Sequence, residues 1–434
     1  MDLKKRVEEL EELIKRQSEI IEQQANEINN LKKKVKELES ADPPKPKLSF
    51  IKEPVKTRQH KPGQKQGHQG HSRPLPQEVD EEVEVKYDRC PDCNTKLKTT
   101  EVRHRYVEDI VFPRKIVKRY NIHNSWCPKC KEVKKPKPKD ALPKCRFGLT
   151  LMLFVCFQKF GLLLTINKIQ KELATYFDLQ VSQGEISQII TRLGMLFSGK
   201  FEELKQEMRE LAVSYTDETG WRTNGKNKWL WTFINEKIAI YKIDKSRSHK
   251  VALDILGKDY SGIVSADRYC TYNTLEEKTN CKQQKCWTHI LRNSKDLAEH
   301  YKEAEYVHRR LKQIYKATIE SKVTKDKLLR WIDLIAENRK RCKSTEVKKF
   351  VNSICKKHRE NLFRFVDNPE VESTNNRAER GLKPLVIMRK ISGGNRSEKG
   401  ERATEIMSSV INSWQLQGRN FFQEGTNFLQ KHFL

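Results

Sequence analysis

Two aspartates that directly follow predicted strands could support metal-dependent chemistry. The apolar run Leu211–Thr216 predicts a strand that delivers Asp217. The run Gly262–Ala266 predicts another strand, which delivers Asp267. If these strands are neighbours in one sheet, the two carboxylates repel each other unless a divalent cation such as Mg²⁺ or Mn²⁺ lies between them. Two such ions can promote phosphodiester chemistry, although a single Asp at a strand end is more often a turn or cap residue.

A third acidic ligand has to reach that sheet from another element, and Glu379 is the preferred candidate. Ser373 or Thr374 can cap the helix that contains it, which places Glu379 about one turn inside the helix. The other acids near this helix are Glu370, Glu372 and Glu398. Because a lone Glu in a cationic helix often forms salt bridges, ion pairing is the alternative role for Glu379.

Two Cys-X-X-Cys pairs predict a structural zinc site within residues 81–135. The four candidate ligands are Cys90, Cys93, Cys127 and Cys130. Four thiolates at this spacing can bind one tetrahedral Zn²⁺, and Ile116–Ile122, between the pairs, is β-prone and fits a hairpin of a zinc ribbon. Two disulfides are the alternative, but nothing in the sequence indicates secretion.

The charge of the chain indicates a nucleic-acid partner. Lys and Arg number 86 against 58 Asp and Glu, which gives a formal net charge of +28. Such a charge needs an anionic partner, and phosphates are the usual one. A membrane surface is the alternative, but no run is long enough to span a bilayer and no basic amphipathic helix is evident.

Two groups of cations are therefore candidate DNA contacts. The first lies in residues 43–80, a basic Pro- and Gly-rich linker whose alternative role is a disordered tether; its members are Lys61, Lys65, His68, His71 and Arg73. The second surrounds Glu379; its members are Arg377, Arg380, Lys383, Arg389, Lys390 and Arg396. Near the second group, Gly393 and Gly394 could let DNA approach the backbone closely.

The N-terminal residues 1–42 predict a coiled coil. Apolar residues alternate at spacings of three and four, without Pro or Gly, on two seam positions: Leu3, Leu10, Leu31 and Leu38 on one, and Val7, Ile14, Ile21, Ile28 and Val35 on the other. The pattern favours a parallel dimer. A single helix packed on its own protein is the alternative.

The remaining elements predict a multidomain α+β protein. Residues 136–204 contain two short helices, Thr165–Phe177 and Gly184–Phe197, joined tightly as in a helix-turn-helix. Residues 205–299 alternate strands and helices, which suggests a mixed sheet with a fifth strand within residues 283–289. Lys- and Arg-rich helices follow in residues 300–372 as an insertion, then residues 373–415 with the third acid, and a tail at 416–434.

These motifs together resemble the IS66 family of bacterial and archaeal transposases. The resemblance rests on Asp217-Glu-Thr-Gly-Trp-Arg, Ser265-Ala-Asp267-Arg-Tyr, Cys286-Trp-Thr-His289, Asn375-Asn-Arg-Ala-Glu379-Arg and Arg389-Lys-Ile-Ser-Gly-Gly-Asn395. It implies an RNase H-like catalytic core, with an acidic triad at Asp217, Asp267 and Glu379, an all-helical insertion before the last acid, and a cut-and-join reaction at transposon ends.

Cys286 and His289 belong to a Cys-X-X-His element that the resemblance extends to several transposase families. One possible role is structural or DNA-contacting, near the active site. The preferred interpretation is a half-buried strand-to-helix junction, where the cysteine packs and the histidine makes a hydrogen bond, because zinc would need two further ligands.

The function expected on this basis is that of a DDE transposase with two Mg²⁺ (or Mn²⁺) ions per active site and one structural Zn²⁺. Its partners would be double-stranded DNA, a second copy or higher oligomer through the coiled coil, and small element-encoded accessory proteins, with no membrane. A prokaryotic cytoplasmic, nucleoid-associated location follows. The alternatives are a non-catalytic DNA-binding regulator and an RNase H-like nuclease that cuts without joining.

Zinc removal tests the four-thiolate site. Metal analysis should find about one Zn²⁺ per chain, and Cys90→Ser should lose it. Because the metal drives folding of a segment with little core, DNA affinity should fall with it while the catalytic core stays folded. Full zinc occupancy in the Cys90→Ser protein would contradict the ligand set.

Overall fold

The computed structural model describes residues 15–17, 21–31, 82, 89, 92–96, 114–122, 125–129, 131–134, 137–320, 323–338 and 342–433. Residues 15–17 and 21–31 are helical, as the heptad pattern predicts, and the pairing of two such helices stays a prediction. Outside the described residues lie the 43–80 linker with its five candidate DNA contacts, and the zinc candidates Cys90 and Cys130.

The segment between the cysteine pairs differs from the predicted hairpin. Ile116–Ile122 forms no strand; Lys115 and Lys118 instead make ion pairs with Asp178 and Asp140, at 2.8 and 2.5 Å. The observed hairpin lies further along the chain, where β1 (Ser125–Cys127) pairs antiparallel with β2 (Glu132–Lys134). The β-prone residues are exposed, and the lysines among them pair with acids further along the chain.

A five-stranded mixed sheet forms the centre of the fold. Its strands are β3 (Val213–Thr223), β4 (Lys226–Ile234), β5 (Ala239–Asp244), β6 (Ile263–Ala266) and β7 (Lys282–Lys285). Their order is β5-β4-β3-β6-β7; β3, β4 and β5 pair antiparallel, whereas β6 runs parallel to both β3 and β7. The predicted α+β class is confirmed, and Asp267 follows β6 directly as expected.

Strand β3 is longer than the sequence pattern predicts. The prediction ended this strand before Asp217, but β3 continues to Thr223 and pairs with β4 along its length, with Asp217 opposite Thr232. An Asn224-Gly225 turn, with φ of 50° and 73°, closes the hairpin. Asp217 therefore stands on a face of the sheet, and Glu218 points to the opposite face.

Among the described residues, nine helices belong to the same compact unit as the sheet. They are α1 (Leu149–Phe160), α2 (Ile166–Phe177), α3 (Gln183–Leu196), α4 (Ser198–Arg209), α5 (His249–Leu256), α6 (Thr271–Lys278), α12 (Asn376–Ser392), α13 (Glu398–Leu416) and α14 (Phe421–Phe433). Both predicted helices of the helix-turn-helix pattern are present. Thr165 caps α2, and a capping box between Ser182 and Glu185 begins α3.

Helix α13 closes the outer edge of the sheet. Three backbone N–H groups of β5 donate to side chains spaced four residues apart on α13: Ala239 to Ser413 (3.0 Å), Tyr241 to Ser409 (2.9 Å) and Ile243 to Glu405 (2.7 Å). Four helical residues rise about 6 Å and two strand residues about 6.6 Å, so the two spacings match. The backbone N–H groups at this strand edge are therefore hydrogen-bonded without a sixth strand.

The C-terminal segment, predicted only as a tail at residues 416–434, contains a packed helix. Phe421 and Leu429 of α14 are buried, and Phe421 stacks on Phe157 of α1 with ring centroids 5.8 Å apart. The apolar residues recur every four positions, so one face of α14 is buried against α1.

A second unit, Trp287–Asp367, is entirely helical where described. Its helices are α7 (Trp287–His300), α8 (Lys302–Glu320), α9 (Lys325–Asn338), α10 (Thr345–Asn352) and α11 (Arg364–Asp367), with a π-helical turn at Ser353–Lys357 and a 3-10 turn at Arg359–Asn361. They enclose their own apolar core around Trp287, Leu311 and Ile332. The predicted fifth strand stops at Lys285, because Trp287 turns into this core instead of extending the sheet. No helix in the described ranges is both long and apolar enough to cross a membrane.

A tight contact between helices α3 and α13 allows a matched pair of stability tests. A Cβ built on Gly194 of α3 would lie 2.7 Å from the Cα of Ala403 in α13, whereas one on Gly199 of α4 meets nothing within 4 Å. We expect Gly194→Ala to destabilise the protein by about 1–3 kcal/mol and Gly199→Ala to stabilise it by roughly 0.4–1 kcal/mol. Urea denaturation measures both; equal effects would contradict the packing described.

Candidate active site

Glu379, the candidate third acid, is positioned by Asn375, which directly precedes helix α12. Its side-chain amide donates to the backbone oxygen of Thr216 (2.7 Å), and its backbone oxygen accepts from the amide of Glu379 (3.2 Å). Asn375 occupies the N-cap position, so the prediction of Ser373 or Thr374 as the cap was wrong. One residue thus ties the start of α12 to the strand residue that precedes Asp217.

Asp217 and Glu379 line the same cavity. This cavity measures about 480 Å³, and its walls are formed by Asp217, Asn376, Glu379, Arg380, Leu382, Lys383 and Val386. Asp217 comes from the face of β3 and Glu379 from the first turn of α12. The structure therefore brings together one predicted acid from the sheet and the preferred third acid.

Asp267 lies beside Asp217 because of the parallel pairing of β3 with β6. Tyr215 is opposite Ser265 in this pairing, and each aspartate follows two residues later. The Asp267 carboxylate accepts a hydrogen bond from the amide of Tyr269 (2.8 Å), and its backbone oxygen accepts one from the fully buried Lys285 (3.1 Å). Both contacts hold the segment that carries this acid.

The electrostatics show that the three acids are close enough to interact. Burial, together with the negative charges of Glu218, Asp267 and Glu379, raises the pKa of Asp217 from 3.8 to about 7. A hydrogen bond from the Glu218 amide (3.0 Å) opposes this rise. Within the described residues, no three His, Cys, Asp or Glu side chains are already clustered closely enough to hold a metal ion.

Glu372, the main rival to Glu379, is engaged elsewhere. Arg377 binds its carboxylate at 2.8 Å, and its amide donates to the hydroxyl of Tyr215 (2.7 Å). Glu372 also precedes the N-cap of α12 and does not line the cavity. These contacts favour Glu379 as the acid that faces Asp217.

The candidate DNA contacts around Glu379 divide into two groups. Arg380 and Lys383 are exposed and line the cavity, and Lys390 and Arg396 are exposed as well. Two others serve the protein itself, since Arg377 binds Glu372 and Arg389 donates to Thr219 and to the backbone oxygen of Gly220.

The glycines near the end of α12 also have an internal role. Gly394 has φ of 108°, and a Cβ at this position would lie 2.2 Å from the backbone oxygen of Arg222. The next residue, Asn395, accepts a hydrogen bond from the indole of Trp221 (2.8 Å). The close approach that Gly394 permits is therefore to strand β3, while an approach of DNA to the backbone near Gly393 and Gly394 stays a prediction.

Cys286 sits at a buried strand-to-helix junction, as preferred from the sequence. Its sulfur accepts a hydrogen bond from the backbone amide of Asn375 (3.1 Å), so it supports the same cap that positions Glu379. His289 lies in the first turn of α7, in the helical unit.

Sequence reasoning missed an ion pair beside the acids. The Glu218 side chain is 2% exposed and accepts hydrogen bonds from the guanidinium of Arg247 (2.9 Å) and the hydroxyl of Tyr272 (2.7 Å). Strand alternation could have indicated that Glu218 faces away from Asp217 and needs a partner. Nothing in the sequence pattern singled out Arg247, which lies between β5 and α5.

Comparison with known families identifies the chain. Residues 144–403, which are 260 of the 434, match the family described as Transposase IS66 family. The chain belongs to the IS66 transposase family. The matched part of the transposase includes Asp217, Asp267 and Glu379, and it excludes the predicted coiled-coil segment, residues 1–42, and both cysteine pairs. A search of curated proteins finds no match.

The buried charge of Asp217 predicts a pH-dependent stability. The pKa of Asp217 is raised in the folded transposase. Below the unfolded pKa of 3.8, Asp217 therefore leaves the free energy of unfolding unchanged, and as the pH rises towards about 7 its ionisation lowers that free energy increasingly. In a chelating buffer, Asp217→Asn should raise the melting temperature at pH 8 by a few degrees, since about 1 kcal/mol corresponds to roughly 2–4 °C. The gain should shrink towards pH 5.

The control for this measurement is Asp259→Asn, which changes an exposed aspartate. It should leave the melting temperature nearly unchanged at both pH values. A gain for Asp217→Asn that is the same at pH 5 and pH 8 would show that the buried charge is not its cause.

Proposed function

We propose that this transposase cleaves the ends of its element and joins them to target DNA in an Mg²⁺-dependent reaction. Asp217, Asp267 and Glu379 would hold two Mg²⁺ or Mn²⁺ ions. The observation that carries the proposal is that the three acids come from β3, the end of β6 and α12, and that the charges of Asp267 and Glu379 act on Asp217, which shares a cavity with Glu379.

The chemistry of the donor set fits a hard divalent cation. All three donors are carboxylates, and Asp217 has no ion pair with any cation among the described residues. An ion would relieve the mutual repulsion that burial makes costly. When bound, two such ions would activate the attacking oxygen and stabilise the leaving oxygen.

The reaction would proceed in two steps at the same site. Water would first attack the phosphodiester at each element end, and the released 3′-hydroxyl would then attack target DNA with the same in-line geometry. Arg380 and Lys383, which line the cavity, would contact the flanking phosphates. The sheet order, with three antiparallel strands followed by two parallel ones, supports an RNase H-like core of the DDE class.

The remaining domains would bind and pair the element ends. The cysteine pairs would bind Zn²⁺, and the zinc module, the basic linkers and helices α2 and α3 would contact the terminal repeats. In the described part of the N-terminal helix, Ile21, Ile28 and Leu31 are 65%, 52% and 57% exposed. An exposed apolar seam of this kind supports self-association through a coiled coil, which would hold two ends together.

A pair of isosteric substitutions tests the assignment of the third acid. Purified protein would be incubated with Mg²⁺ and labelled end DNA, and nicked and joined products would be measured separately. Glu379→Gln should reduce both products by at least about 1000-fold, on the scale expected when catalytic groups that act as a unit are removed, while end binding survives. Glu372→Gln should keep most of the activity.

The outcomes also separate this proposal from its rivals. A dead Glu372→Gln protein beside an active Glu379→Gln protein would move the third acid seven residues upstream. Nicking without joining by the wild-type protein would indicate a nuclease. Binding to end DNA without either product would indicate a regulator.

A further inference from the structure

We infer that Arg247, together with Glu218, is a positioning residue that holds the Asp267 segment beside Asp217. The inference rests on the proposed function, because it concerns the same three acids. It assigns a role to an arginine that comes from neither of the strands that carry the aspartates.

Three successive contacts join the Arg247–Glu218 pair to the segment after Asp267. The guanidinium of Arg247 lies over the ring of Tyr269, 4.0 Å from its centroid. The backbone oxygen of Arg247 accepts a hydrogen bond from the hydroxyl of Thr271 (2.9 Å), and Glu218 accepts one from Tyr272 (2.7 Å). Arg247 and Glu218 therefore contact three residues of this segment, and their side chains reach two of them, Tyr269 and Tyr272.

These contacts reach the Asp267 carboxylate through Tyr269. The amide of Tyr269 donates to the Asp267 carboxylate at 2.8 Å, so holding the tyrosine ring also holds the group that orients the acid. Glu218 in turn is the strand neighbour of Asp217. The ion pair thus connects the two aspartates, because Glu218 is bonded directly to Asp217 and Tyr269 is hydrogen-bonded to the Asp267 carboxylate.

Only an arginine satisfies this geometry. Its Nε and Nη2 atoms both contact Oε1 of Glu218, at 2.9 and 2.8 Å, and its guanidinium carbon lies 4.0 Å from the Tyr269 centroid and 4.4 Å from the Trp229 centroid. A lysine can supply the charge but neither the fork nor the stacking. Because a buried ion pair adds little net stability compared with apolar residues of similar size, positioning is the better reason for its presence.

The test compares single and balanced double variants of the full-length protein. Arg247→Met alone leaves Glu218 buried without its cation and could unfold the protein, so the Glu218→Gln/Arg247→Met double variant is the informative one. Arg247→Lys keeps the charge and removes the fork. The control is the Asp333→Asn/Arg359→Met double variant, which removes a bidentate ion pair of the helical unit (2.8 Å for both contacts).

For each variant we would measure the melting temperature, the affinity for end DNA and, by calorimetry, the affinity for Mn²⁺. The Mg²⁺ dependence of cleavage would be measured in parallel. The balanced double variant should melt near the wild-type temperature and bind end DNA within about twofold. Its Mn²⁺ dissociation constant and its Mg²⁺ requirement should each rise at least about tenfold, which is the scale seen for outer-shell partners of metal ligands. Arg247→Lys should lie in between.

A well-folded balanced variant with wild-type Mn²⁺ affinity would overturn the inference, since Arg247 would then only stabilise the fold. The same holds if the Asp333→Asn/Arg359→Met control shows an equal loss. The Asp267→Asn variant distinguishes failure of this inference from failure of the proposed function. If wild type is active, Asp267→Asn is dead and the balanced variant resembles wild type, only the inference fails; if wild type shows no Mg²⁺-dependent cleavage and no Mn²⁺ binding, both fail.

Discussion

The double pairing of strand β3 is the constraint on which the site depends. Antiparallel pairing with β4 fixes Asp217 in the middle of a long strand, and parallel pairing with β6 places Asp267 at the same level on the neighbouring strand. The third acid joins them because Asn375 binds the backbone of Thr216 and begins the helix that carries Glu379. Each acid is therefore located by backbone hydrogen bonds and not by contacts between the carboxylates, which repel one another.

This repulsion explains several features of the surrounding structure. Burial and neighbouring charges raise the pKa of Asp217 to about 7, and Glu218 adds a further buried acid next to it. Arg247 offsets the charge of Glu218 on one face of the sheet, while Asp217 on the other face has no such cation among the described residues. A site that pairs the supporting acid Glu218 with Arg247, and gives Asp217 no such partner in the described part of the chain, fits a role in binding cations.

The sequence predicted the elements with local signatures and missed those set by long-range pairing. The apolar runs Leu211–Thr216 and Gly262–Ala266 located strands β3 and β6, and the strand predicted within residues 283–289 overlaps β7. The end of β3 was placed too early because Asp217 resembles a strand-terminating residue, although β4 supplies its pairing partner. The partners Asn375 with Thr216 and Arg247 with Glu218 are separated by 159 and 29 residues, so no local pattern could reveal them. Arg389 and Gly394 were assigned to DNA because their internal contacts lie on a strand more than 160 residues away.

The central claim is that acids from β3, β6 and α12 form one binding site for divalent metal ions. The most direct measurement is anomalous diffraction from crystals of the full-length protein soaked in Mn²⁺. The account predicts an anomalous peak in the cavity shared by Asp217 and Glu379, with carboxylate oxygens of these residues and Asp267 about 2.0–2.3 Å away, in the range of hard divalent cations. A cavity without a peak at saturating Mn²⁺, or a peak bound by Glu218 or Glu372 instead, would contradict it.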